Sequence, residues 1–148
     1  MQYGTFGTVP VLAGMMALRG RTRTAAAVAL GGTSAWLLGK AVKPLVGRAR
    51  PATLLPHVRL RGKEEGDLGF PSGHAAVSAA LTAAMWPDAT PGWRVACGAL
   101  SAFVAFARMY VGAHLPLDVI GGAGLGVAVS SVAKTLTGGL GGGQSESP

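Results

Sequence analysis

PSGHAAVSAALTAAMWP, residues 71–87, opens on a turn-forming Pro-Ser-Gly and then runs almost wholly apolar to Trp86 and Pro87. Ser72 is suited to cap a helix starting here, because a serine oxygen can accept from the backbone N–H groups that a first turn leaves unpaired. The run does not alternate with a period of two, so it reads as a helix and not as a strand of a membrane barrel. Ala75, Ala79 and Ala83 fall four apart on one face. Small side chains at that spacing let helix backbones approach closely in lipid, and packing is a sufficient reading of those three positions.

Four further apolar stretches flank this one, at residues 5–18, 24–42, 92–111 and 116–136, each close to the length that crosses a hydrocarbon layer of about 30 Å. The first is short and contains Pro10, which suggests a tilted, partial or frayed span. Residues 44–70 read as a polar loop, with Pro51, Pro56 and a mixed-charge run at 59–67 that would break a helix in lipid. In the last stretch Gly122 and Gly126 repeat the spacing of four. Charged residues make up only 13% of the 148-residue chain, about half the roughly 25% of a soluble protein. The reading is an all-α, polytopic membrane bundle of about five transmembrane helices, one domain over residues 1–137, followed by a Gly/Ser-rich disordered tail at 138–148. The start lacks the ordered features of a removable signal peptide, so the first apolar stretch is expected to remain in the mature protein.

A net charge of +7 raises nucleic acid as a partner, but the basic residues do not form one stripe. Arg19, Arg21 and Arg23 sit between apolar stretches, and Lys43, Arg50 and Arg108 stand apart from them; membrane plus an anionic substrate fits better, with no nucleic acid. Cys97 is the only cysteine, which excludes an intrachain disulfide and a cysteine-based zinc site.

Alternating crossings place the end of the second stretch, the start of the third, the end of the fourth and the start of the fifth at one membrane face. Trp36 and Tyr110 fall near that face and Trp86 and Trp93 near the other, as interfacial anchors do. Three clusters of phosphate-suited side chains meet there: Lys43 with Arg50-Pro51, then Pro71-Ser72-Gly73-His74, then Arg108, His114 and Asp118. A helix start with Ser72 and Gly73 attracts an oxyanion, and His74 beside the positive helix end is justified by an anion. His114 and Asp118 are four apart around Pro116, so the carboxylate can accept from one ring nitrogen and leave the other unprotonated for attack; a pair that merely pins a helix end is equally open at this spacing. Arg108 ends an uncharged run of 13 residues, 95–107, and an ionisable residue at membrane depth is usually functional. Lys40 and Arg48 read as juxtamembrane anchors. His57 reads as a surface or substrate-rim residue, and Glu64, Glu65 and Asp67 as part of a solvated loop without metal-ligand spacing.

In order, these clusters give Lys-(six residues)-Arg-Pro, Pro-Ser-Gly-His and Arg-(five residues)-His-(three residues)-Asp, which resembles the signature of the type 2 phosphatidic acid phosphatase (PAP2) family. The resemblance covers residues 43–118 directly. It implies that Lys43, Arg50, Ser72, Gly73 and Arg108 hold the phosphoryl oxygens, that His114 attacks phosphorus with support from Asp118, and that His74 protonates the leaving oxygen before water hydrolyses the phosphohistidine. Three fixed cations then take a role that magnesium fills elsewhere, so no metal or other cofactor is implied. Ala107 departs from the pattern, which often has Ser there, and the family's usual six spans exceed the five read here, so a first helix is absent or supplied by another polypeptide.

The expected protein is an integral-membrane phosphatase acting on a phosphomonoester or pyrophosphate of a lipid of phosphatidate, phosphatidylglycerol phosphate or polyprenyl type. Alternatives are a phosphotransferase using an acceptor alcohol and a catalytically silent membrane scaffold. Expected partners are the lipid phosphate and membrane lipids, with a homo-oligomer or an upstream membrane partner left open. Arg19, Arg21, Arg23, Arg94 and Lys134 lie opposite the active face, which favours a multi-pass protein of a bacterial inner membrane with an extracytoplasmic site.

Overall fold

The computed structural model describes residues 5–61 and 66–139. Five long helices form where the five apolar stretches lie: α1 (Thr8–Leu18), α2 (Thr22–Val46), α4 (Gly73–Met85), α5 (Pro91–Tyr110) and α6 (Pro116–Gly139), with a short α3 (Pro51–Leu54) inside the polar loop. Among the described residues there is no strand, only one isolated bridge between Ala49 and Leu68. Two helices, Thr22–Val46 and Pro116–Gly138, are long and apolar enough to cross a membrane. At 11 and 13 residues, α1 and α4 fall short of the about 20 that a perpendicular crossing needs, and α5 carries Arg94 and Arg108.

Two boundaries differ from the expectation for physical reasons. Pro10 does not fray α1, because it falls in the first turn, where the missing N–H would have had no helical acceptor. Pro44 does not end α2 either. The helix continues to Val46 and stops at Gly47, whose φ of 63° is left-handed and whose N–H closes back on the Lys43 carbonyl at 2.9 Å. At the far end, α6 runs two residues past the expected domain limit of 137, while the rest of the expected tail, 140–148, and the loop residues Lys63, Glu64 and Glu65 lie outside the described residues.

The bundle is built around α4, which packs on α2, α5 and α6 and buries Ala75 through Leu81 without a gap. Val9, Ala27, Val28, Val77, Leu81 and Ala84 form the main apolar cluster, with Ala35, Ala76 and Ala80 beside it. Close approach is real at the glycines of α6: a Cβ added at Gly122 would strike the Ser72 carbonyl, and one at Gly126 the Ala76 carbonyl. Gly124, on another face of the same helix, has open space. Large apolar side chains cover the outside instead, including Leu18, Leu45, Trp93, Val95, Phe103, Phe106 and Ile120, all more than half exposed. Apolar surface on this scale calls for lipid or protein against it.

Candidate active site

The polar loop is folded back on itself before it meets the helices. Arg50 N–H donates to Asp67 O at 3.0 Å and Gly69 N–H to Arg48 O at 2.8 Å, pairing its two arms around the Ala49–Leu68 bridge. Arg50 is thereby carried inward to 6% exposure, where Nε donates to Gly66 O (2.6 Å) and Nη1 to Ala113 O (3.0 Å). Pro51 is buried beside it at the first position of α3. Lys43, in the last turn of α2, donates from Nζ to Leu68 O at 3.0 Å. Both cations of the first cluster are thus anchored by backbone carbonyls, which helps hold positive charge at the cavity wall.

Ser72 stands at the N-cap of α4, but its side chain does not cap the helix. This corrects the expectation: Oγ is buried, fully shielded and without a hydrogen-bond partner, while Ser72 N–H donates to Asp118 O at 2.8 Å. An orphaned buried hydroxyl is costly unless something binds it. Gly73 and His74 follow in the first turn and face a cavity.

His114 lies in the turn between α5 and α6 at 4% exposure, with its N–H on Arg108 O at 3.2 Å. Burial lowers its pKa from 6.5 to about 3, and the positive charges of Arg108, Arg50 and Lys43 add to the effect. The imidazole is therefore neutral near pH 7. Its Nδ1 is 3.8 Å from Asp118 Oδ2, an ion-pair distance and not a hydrogen bond. Asp118 does not accept from the ring as expected. Pro116 starts α6, so Asp118 is its third residue, and Oδ2 reaches back to Leu115 N–H at 2.8 Å as a capping box does. The other oxygen, Oδ1, lies 3.4 Å from Arg48 Nη1. Arg48 is consequently tied to the buried carboxylate and is more than the juxtamembrane anchor it resembles in sequence.

A cavity of about 330 Å³ brings together Lys43, Arg50, Gly73, His74 and His114, one or more residues from each cluster. Arg108, Ser72 and Asp118 are buried behind that lining: Arg108 acts on His114 through its charge, and Asp118 through proximity. The other wall is Thr5, Phe6, Trp36, Gly39 and Lys40, with Phe6 tilted against Trp36 at 4.7 Å and Lys40 Nζ 3.8 Å above the Trp36 ring. Trp36, Lys40 and Lys43 are spaced by four and three, so a helical reading could have placed all three on one face. Arg48 carried no such signal, because its partner is 70 residues away across the bundle. His57 is exposed, outside this lining.

A model of the PAP2 superfamily matches residues 23–140, well over half of the chain. An undecaprenyl-diphosphatase of Sulfolobus acidocaldarius is 30% identical over 125 residues, covering 82% of this chain and 59% of that protein. A lipid A 4'-phosphatase of Bacteroides thetaiotaomicron is 34% identical over 91 residues, covering 57% of this chain and 40% of that protein. The chain thus spans between two and three fifths of the length of these curated relatives. The crystal structure of Aquifex aeolicus LpxE superposes with a TM-score of 0.71 at 22% identity, over 88% of this chain and 83% of that one. That of the first transmembrane PAP2 type phosphatidylglycerolphosphate phosphatase from Bacillus subtilis does so with 0.69 at 22%, over 94% and 70%. Both share the fold, and the sequence match spans the described clusters, so the chain belongs to the PAP2 superfamily.

Proposed function

We propose that the protein is an integral-membrane phosphatase that hydrolyses a phosphomonoester or pyrophosphate of a lipid through a phosphohistidine. The observation that carries this is a buried, neutral His114 lining the same cavity as His74, Lys43 and Arg50. The ring nitrogen of His114 turned away from Asp118 attacks phosphorus, and the bond to the leaving oxygen breaks as His74 gives that oxygen its proton. Water then attacks the phosphohistidine, His74 takes the water's proton, and inorganic phosphate leaves with His114 restored. Asp118 holds the ring as it gains positive charge, and their 3.8 Å separation is of the kind that tightens when substrate is bound. Lys43, Arg50 and Arg108 neutralise the phosphoryl oxygens, and the orphaned Ser72 hydroxyl and the backbone at Gly73 complete the cradle.

The membrane reading supports a lipid substrate, and the two relatives, an undecaprenyl-diphosphatase and a lipid A 4'-phosphatase, agree with it. The five long helices are read as crossings, α4 being short because other helices surround it and its start lies inside the cavity. The basic residues at the opposite end favour an extracytoplasmic site. The test is phosphate release by detergent-solubilised protein from a panel of lipid phosphates, with His114→Ala alongside and acid-labile protein-bound phosphate sought with radiolabelled substrate. Release without any trapped intermediate, undiminished in the variant, overturns the scheme.

A further inference from the structure

At the end of the bundle away from His114, α1 leans on α2 and α5 on α4, and a groove of about 390 Å³ is left between α1 and α5. Its walls are Leu12, Met15 and Met16 from α1, Met85 from α4, and Trp93 and Leu100 from α5. A volume in the range of roughly 300–1,000 Å³ and an apolar lining with a few polar groups at one end are the marks of a small-ligand site. The polar end is cationic. Arg21 Nη1 donates to the Asp88 carbonyl at 2.9 Å, and the Asp88 carboxylate is engaged by the Thr24 hydroxyl. The guanidinium of Arg19, exposed on the rim, has no hydrogen-bond or ion-pair partner among the described residues. Trp86 and Arg94 pair at the same end, a combination that suits a headgroup interface.

We infer that this groove binds one molecule of an anionic membrane lipid, its acyl chain between α1 and α5 and its headgroup against Arg19 and Arg21, in the leaflet opposite the candidate active site. Charge complementarity selects the occupant: an acidic headgroup satisfies Arg19, whereas a zwitterionic one brings a cation to the same rim. No histidine lines the groove, so the lipid is held and not hydrolysed. The inference goes beyond the phosphatase reading and needs only the bilayer, so each can fail alone.

Cys97, the only cysteine, lines the groove and provides the test. The full chain is placed in phosphatidylcholine nanodiscs with or without phosphatidylglycerol, and the rate of Cys97 labelling by a small neutral maleimide is measured. Phosphatidylglycerol is expected to slow labelling about 10-fold, the protection that a ligand near ten times its Kd gives by mass action. Arg19→Glu should abolish that difference while leaving phosphate release unchanged, and Ala96→Trp, which fills the wall beside Cys97, should slow labelling in both lipids. Equal wild-type rates in the two lipids overturn the inference, as does protection that survives Arg19→Glu or labelling indifferent to Ala96→Trp.

Discussion

The two ends of the bundle hold cavities of similar size and opposite character. Near His114, that imidazole, two guanidinium groups and a carboxylate are buried at 9% exposure or less; at the α1–α5 groove the walls are Met, Leu and Trp, and charge is confined to the rim. Helices of the same composition enclose both, so composition does not make the difference. The groove is lined mainly by helix sides, whose backbone polar groups are already paired. The end near His114 is lined by helix termini and a folded loop, which offer the carbonyls of Gly66, Leu68 and Ala113 to Arg50 and Lys43 and the Leu115 N–H to Asp118. Buried charge is tolerated where the backbone still has hydrogen bonds to give.

The contrast can be broken most severely at His114. Its replacement by Ala should lower phosphate release by about 10³-fold or more, the scale on which loss of a nucleophile is felt, with helicity by circular dichroism unchanged. Next in size is the packing that holds the helix termini together. Gly126→Ala should destabilise the detergent-solubilised protein by roughly 1–3 kcal/mol, the usual range for overpacking, because its Cβ meets the α4 backbone; Gly124→Ala, facing open space, should leave thermal unfolding unaltered. Equal effects at the two glycines would mean that α4 and α6 do not meet as described. A smaller effect is expected at Arg48, which acts through Asp118: Arg48→Ala should reduce phosphate release about 10-fold, or about 1.4 kcal/mol, chiefly in kcat, with partial rescue by Arg48→Lys.

An effect read across pH and not in rate sharpens the electrostatic side of the comparison. His114 is held neutral in the folded protein down to about pH 3 against 6.5 when unfolded, so between those values the unfolded chain takes up a proton that the folded one refuses. Stability contributed by this group is therefore intact above pH 6.5 and declines as pH falls through the window. Unfolding midpoints followed across that range should drop less steeply for His114→Ala than for the parent protein; parallel curves would show that the ring is not held neutral.

Much of this was legible in the linear pattern. The positions of the five long helices follow from apolar runs and their Pro and Gly punctuation, and the spacing within each cluster already grouped Lys43 with Arg50 and His114 with Asp118. Less legible were details at the helix ends. The polar loop was expected from residue 44, yet α2 runs on to Val46 and Gly47 sets the end; Ser72 looked like a cap, yet its hydroxyl is buried and orphaned.

Short-range regularity is written along the chain because helix periodicity, caps and motif spacing depend on residues within a few positions of one another. The Arg48–Asp118 pair, the transfer of Asp118 from the imidazole to the Leu115 N–H, the depth at which Arg50 sits and the groove beside Cys97 depend on how whole helices settle against each other. A carboxylate with several donors in reach takes the ones that packing brings nearest, and that choice exists only once the bundle has formed.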